Sequence, residues 1–135
     1  VTLLDPRTDP IHQQFQVEAV DLSTAYLKAD TYFSVLVPQT TSLGQNYPNP
    51  FNPETWIPFQ LHQSATVSVL IYNAAGKKVR QMDIGFRIAG RYHSMERAVY
   101  WNGKTDLGEI VSSGVYFYTL QAGDFTSTRR LVILK

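Results

Sequence analysis

Three histidines, His12, His62 and His93, are the side chains of this 135-residue chain whose ordinary pKa lies nearest neutrality. None stands at the H-x-x-x-H spacing that puts two imidazoles on one helix face for a metal ion. Cysteine is absent, which excludes disulfides and thiolate metal sites. The run Ser112-Ser113-Gly114 lacks the G-x-S-x-G pattern of a strained nucleophile turn, and no glycine-rich phosphate loop occurs. "NGKTDLGE" offers the oxygens of Asn102, Thr105, Asp106 and Glu109, but not at the spacing of a helix-loop-helix calcium site. Turn chemistry, with Asn102 and Asp106 bonding backbone, fits that stretch better. No catalytic residue, metal ligand or cofactor site is assigned.

Binding chemistry has two carriers. The chain holds two Trp, eight Tyr and seven Phe. Aromatic faces can stack on sugar rings, but Tyr116 and Tyr118 alternate with Val115 and Phe117, so they share one sheet face and build core. Trp101 is expected to close a strand and cap that core. The second carrier is the cluster Arg129, Arg130 and Lys135, which suits either an acidic receptor or plain solvation. A net charge of +1 gives no general pull toward nucleic acid or membrane. No stretch approaches the roughly 20 apolar residues that span a bilayer.

Two kinds of element position these groups. "VTLLDPRTDP" lacks a basic region followed by an apolar run, so it is no signal peptide and reads as an internal cut from a longer protein. Asp9 is a candidate N-cap with Pro10 at the first helical position. Ile11, Phe15, Ala19, Leu22, Tyr26, Ala29, Phe33 and Leu36 then recur at helical spacing and predict a helix that Pro38 ends. Asp21 and Ser23 offer an alternative start for a second helix. The apolar stripe suits packing on a neighbouring domain, or docking of a partner or a second copy. Beyond Pro38 the period becomes two. Thr55, Ile57, Phe59 and Leu61 alternate with Trp56, Pro58 and Gln60, and Pro58 implies an edge strand or a bulge. Val67, Val69 and Ile71 alternate likewise. "NAAGKK" is a turn, "KVRQMDI" a returning strand, and "GFRIAGR" a connection. "YHSMERAVYW" reads as one strand ending at Trp101. "NGKTDLGEIVSSG" is a loop with room for a short strand around Ile110, "VYFYTLQ" a strand, "AGD" a turn and "FTSTRRLVILK" the last strand. The fold predicted is mainly β: an immunoglobulin-like antiparallel sandwich of about seven strands over residues 43–135, preceded by a helical segment and linker in residues 1–42. Residues 43–135 are expected to fold without the helix.

"LGQNYPNPFNPETWIPFQL" stands between the two. It packs three prolines and three asparagines into Asn46 to Pro53. Each Pro fixes its own φ and pushes the preceding residue out of the helical region, while Asn tolerates turn geometry. The run predicts a stiff, extended collar that Tyr47 and Phe51 pin to the sheet. This stretch resembles the opening motif of type IX secretion system C-terminal sorting domains (type A). "VSVLIYNAAGKKVRQM" is similar to that family's first hairpin. "YWNGKTDLGEIVSSGVYFYTLQAGDFTSTRRLVILK" is similar to its Trp-Asn-Gly loop, its Ser-Gly-Val-Tyr strand and its basic end. The same pattern resembles the immunoglobulin-like module of flagellar hook-capping proteins. The resemblance spans about residues 43–135. It implies a non-catalytic domain, without cofactor, that directs a passenger from the periplasm across the outer membrane to the cell surface. Secretion-machinery proteins and the passenger of the same chain would be its partners, with no nucleic acid and no membrane insertion. Outside the resemblance, the apolar stripe of the N-terminal helix leaves an oligomer open. Partner recognition would fall to Asn49, Pro50, Asn52, Pro53, Arg129, Arg130 and Lys135, and the structural motif to Tyr47, Pro48, Phe51, Trp101, Gly103, Gly114 and Tyr116. A structural immunoglobulin-like interaction module and a carbohydrate-binding accessory domain of a surface enzyme are the alternatives.

Overall fold

A computed structural model describes residues 37–135, and within them every regular element is a β-strand. The helix expected upstream of Pro38 lies outside the described residues. In chain order the strands are β1 (Ser42–Leu43), β2 (Thr55–Ile57), β3 (Phe59–Leu61), β4 (Ala65–Asn73), β5 (Lys78–Arg87), β6 (Gly90–Tyr92), β7 (Val99–Trp101), β8 (Gly114–Ala122) and β9 (Phe125–Ile133).

The long alternating runs build the main sheet, antiparallel throughout, in the order β5-β4-β8-β9. Its register brings the apolar set of each strand to one face, where Val69 lies opposite Leu120 and Ile71 opposite Tyr118. Leu131 and Ile133 continue that face on β9, and all six side chains are buried. A slip of one residue would turn each set to solvent, so the pattern itself fixes the register. Burying each large apolar side chain is worth about 1.5–3 kcal/mol.

Two small sheets complete the core, β1-β3-β6 and β2-β7, both antiparallel. Ile57, Phe59, Leu61, Tyr92, Val99 and Trp101 from these strands join the main sheet's inner face in one apolar cluster. Pro58 explains why there are two small sheets rather than one. It has no N–H to continue a ladder. The expected strand over residues 55–61 therefore divides there, with β2 pairing to β7 and β3 pairing to β1 and β6. The free Pro58 carbonyl accepts the Gly44 N–H at 2.8 Å.

Two further expectations change. "YHSMERAVYW" is not one strand: β6 ends at Tyr92, and the N–H groups of Arg97 and Ala98 both donate to the Ser94 carbonyl in a turn before β7. The polar run His93 to Arg97 has no alternating apolar face to hold it in a sheet, and Arg97 instead folds over the Tyr92 ring, 4.5 Å from its centroid. β5 in turn runs through Gly85 to Arg87, into the first three residues of the expected connection. Ile84 is the extra residue between the Asp83–Ser68 and Gly85–Val67 pairs, and Gly85 absorbs the bulge with φ +95°. Among the described residues nine strands thus stand where about seven are expected: Pro58 and the Ser94 turn each divide one, β1 adds another, and the stretch around Ile110 forms only an isolated bridge to Lys104.

Candidate functional site

Strand β9 lies at the edge of the main sheet, so its outward N–H and C=O groups need partners. The proline-rich collar supplies them. Gln45 Nε2 donates to the Arg130 carbonyl at 3.0 Å. Asn49 Oδ1 accepts the Val132 N–H at 3.0 Å. The Phe51 N–H donates to the Val132 carbonyl at 3.0 Å, and the Phe51 carbonyl accepts the Leu134 N–H at 3.2 Å. Prolines cannot donate, so the glutamine and asparagine side chains and one phenylalanine backbone do the pairing. The Phe51 ring is buried, 5.6 Å from Trp101, which is in turn 6.3 Å from Tyr116. The collar therefore lies along β9, and its Phe51 plugs the core.

Its upstream end is held as firmly. Tyr47 and Trp56 exchange both backbone hydrogen bonds, at 2.9 and 2.8 Å, and the Tyr47 hydroxyl donates to the His93 carbonyl. Trp56 lies opposite Tyr100 on β7, so Tyr47, Trp56 and Tyr100 form a cross-strand aromatic row with centroid spacings of 6.4 and 5.5 Å. Beneath the collar, Asn46 and Thr55 are buried polar residues with their groups satisfied. Asn46 Nδ2 donates to Thr55 Oγ1 at 3.0 Å and to the Pro48 carbonyl at 3.2 Å, and its Oδ1 accepts from Gln45. The Asn46 N–H donates to the Tyr118 hydroxyl at 2.9 Å, and that hydroxyl donates to the Gly44 carbonyl at 2.7 Å. Burial pushes the Tyr118 hydroxyl up to about 12, against the smaller opposing pulls of the Asn46 N–H and Arg129.

The Trp-Asn-Gly loop receives the collar's downstream end. Trp101 Nε1 donates to the Lys104 carbonyl at 2.9 Å, and Asn102 Oδ1 accepts the Lys104 N–H at 3.1 Å. Asp106 Oδ1 accepts the Gln81 N–H at 3.0 Å and lies 3.6 Å from Arg80 Nε. These oxygens close turns. Among the described residues no group of three His, Asp or Glu side chains gathers as a metal set. Gly103 has φ +77°, and a Cβ there would sit 2.6 Å from the Pro53 carbonyl oxygen. Gly103→Ala is therefore expected to combine a strained backbone with a clash against main chain. It should lower stability by more than about 1 kcal/mol, read as a fall in the chemical denaturation midpoint. An unchanged midpoint would mean that the collar does not rest on this loop.

The residues that build this arrangement coincide with a known family. A family model described as "Secretion system C-terminal sorting domain" matches residues 45–134, from Gln45 in the collar to Leu134 beyond β9. The chain belongs to this family. Among solved structures, the sorting domain is similar to dimeric latent PorU from Porphyromonas gingivalis, at 14% identity and a TM-score of 0.50, over 70% of this chain and 9% of that one. That likeness is one of fold. PorZ, described as an essential bacterial surface component of the type-IX secretion system of P. gingivalis, matches at 21% identity and a TM-score of 0.48, over 70% of this chain and 12% of that one. FlgD from P. aeruginosa matches at 22% identity and a TM-score of 0.47, over 72% of this chain and 73% of that one. The chain spans about a tenth of the length of the first two structures. No curated protein sequence matches it.

Within the sorting domain, the collar and the end of β9 lie side by side although about 80 residues separate them in sequence. Pro50, Asn52 and Pro53 are exposed on the collar, with Leu134 and Lys135 exposed beyond β9. Asn49 is exposed too, but its side-chain oxygen is taken by Val132. Pro48 contributes its carbonyl to Asn46 and Thr55. The two arginines part. Arg129 Nε donates to the Leu43 carbonyl at 2.8 Å, whereas Arg130, the next residue, projects from the opposite face of the strand. Gly114 opens β8 opposite Ile133, and the Lys135 N–H donates to Ser113 Oγ at 3.0 Å. Gln45, Asn46, Thr55 and Tyr118 form the anchor that sequence reasoning misses. Asn46 sits in the Asn-Pro run, but the alternation of β2 and β8 tells which face each residue takes and not which polar groups meet there.

Proposed function

We propose that this sorting domain directs a passenger across the outer membrane by the type IX machinery, and that the machinery reads one composite surface. That surface joins Pro50, Asn52 and Pro53 of the collar to Leu134 and Lys135 beyond β9. The observation that carries the reading is the row of hydrogen bonds tying residues 45–51 to residues 130–134. Two segments remote in sequence become a single surface only when the sheet between them has formed, so an unfolded domain would not present it. Binding is the domain's whole task in this reading, with no bond chemistry and no cofactor. The passenger transits the periplasm and finishes at the cell surface or outside the cell. The sorting unit would begin at Pro38 rather than at Leu43, because the Pro38 carbonyl pairs with His62 Nδ1 and Thr41 Oγ1 accepts the His62 N–H.

The test is a secreted reporter enzyme carrying the whole chain at its C-terminus, produced in a host with a working type IX system and in the same host without it. Surface activity is expected in the first and periplasmic activity in the second. A reporter that stays periplasmic in both hosts would favour a structural interaction module.

A further inference from the structure

The outer face of the main sheet carries a further row of side chains. Lys78 on β5, Tyr72 on β4, Phe117 on β8 and Arg130 on β9 lie opposite one another across all four strands. The next row along brings Val115 opposite Val132. Phe117 and Val115 are 36% and 38% exposed, large values for apolar side chains in the middle of a sheet. The row is thus two aromatic rings between two cations, with a pair of valines beside it. Among the described residues Lys78 Nζ reaches only the neutral Gln81 side chain, at 2.6 Å. Arg130 is exposed, and its guanidinium has no partner among the described residues.

Charge on this sheet is one-sided. On this face its four strands hold Lys78 and Arg130 against one acid, Asp83, whereas Arg80, Arg87 and Arg129 pair in register with Ile71, Ala65 and Tyr118 of the other face. Asp83 lies two rows away opposite Ser68 and accepts from Gln81. An apolar strip bounded by cations and free of carboxylates is complementary to a segment with the reverse arrangement, apolar side chains flanked by acids. A second copy of the same face would bring like charges together, so self-association through it is disfavoured.

We infer that the Lys78–Tyr72–Phe117–Arg130 face is a second docking surface, distinct from the collar, for an acidic segment of a partner protein bearing aromatic or aliphatic side chains. The probe is a fluorescently labelled random glutamate–tyrosine copolymer titrated into the full chain, read by fluorescence anisotropy. Binding should weaken as salt rises from about 50 mM to about 500 mM, where screening becomes strong. The Lys78→Glu/Arg130→Glu variant should bind about tenfold more weakly or worse, with an unchanged melting temperature. Phe117→Ser should also weaken binding, which a purely electrostatic attraction would not require. Arg87→Glu/Lys104→Glu, which alters charge away from the row, should leave affinity unchanged. The inference is overturned if the copolymer does not bind, if both charge-reversed variants lose affinity equally, if Phe117→Ser binds like the parent, or if the chain binds phosphatidylglycerol vesicles and not the copolymer.

Discussion

Replacing Trp101 by Ala is expected to destabilise the sorting domain by about 3–5 kcal/mol, the range for a large aromatic removed from a packed core. Trp101 is fully buried, and it stands between the collar's Phe51 and the main sheet's Tyr116. Removing it opens a cavity beneath both. It also leaves the Lys104 carbonyl without the indole N–H that now reaches it at 2.9 Å, so the Trp-Asn-Gly loop loses its tie to the core. For a domain of this size the melting temperature should fall by more than about 10 °C. Trp101→Phe keeps a ring in the site and should cost distinctly less. A loss below about 1 kcal/mol for Trp101→Ala would mean that the collar does not close over a packed core at this point.

Tyr118 carries the second large effect, in two separable parts. Tyr118→Ala removes a fully buried ring and should cost about 3–5 kcal/mol. Tyr118→Phe keeps the ring but strips the Asn46 N–H and the Gly44 carbonyl of their shared hydroxyl, which should cost about 1–3 kcal/mol. The hydroxyl also sets a pH dependence. Its pKa stands at about 12 in the folded domain, against the ordinary 10.0 expected when unfolded. Below pH 10 both states hold the proton and the full contribution is present. Between 10 and 12 the unfolded state loses its proton first, so stability falls as pH rises. Above 12 no further loss comes from this group. The difference in stability between the parent and Tyr118→Phe should therefore shrink across that window. A difference that stays constant from pH 9 to pH 12 would show that the hydroxyl is not held in the buried network.

Residue pattern made the two-residue period visible from Thr55 onward, and with it the inner faces of β4, β8 and β9. Tyr116 and Tyr118 fall on the inner face because their strand neighbours alternate without interruption. Partner choice was less visible. Pro58 announces that a ladder must fail there, but a missing N–H cannot say whether the chain bulges or changes sheets. Ser94 to Arg97 carries no strong turn residue, so its break shows only once Arg97 is seen over Tyr92. The candidate site was half legible. The prolines and asparagines announce an unusual backbone, and Phe51 announces an apolar anchor. Nothing local to residues 45–53 tells that their partner is β9, because the contact depends on which strand the assembled sheet leaves at its edge. Arg129 and Arg130 illustrate the same limit: adjacent in sequence, they take opposite faces, and only the Arg130 guanidinium is left without a partner among the described residues.

Export of a surface variant with an intact fold tests most directly whether collar and last strand form one surface read by the secretion machinery. Asn52 is exposed and its side chain has no partner among the described residues, and Leu134 is 57% exposed just beyond β9. Asn52→Ala/Leu134→Ser should therefore leave the melting temperature of the purified chain within about 2 °C of the parent, as surface changes away from packed features do. With the reporter fused to this variant, in a host with a working type IX system, surface activity should fall severalfold while periplasmic reporter accumulates. Full surface activity from this variant, with its melting temperature unchanged, would contradict the claim and leave the collar a structural plug on the edge of β9.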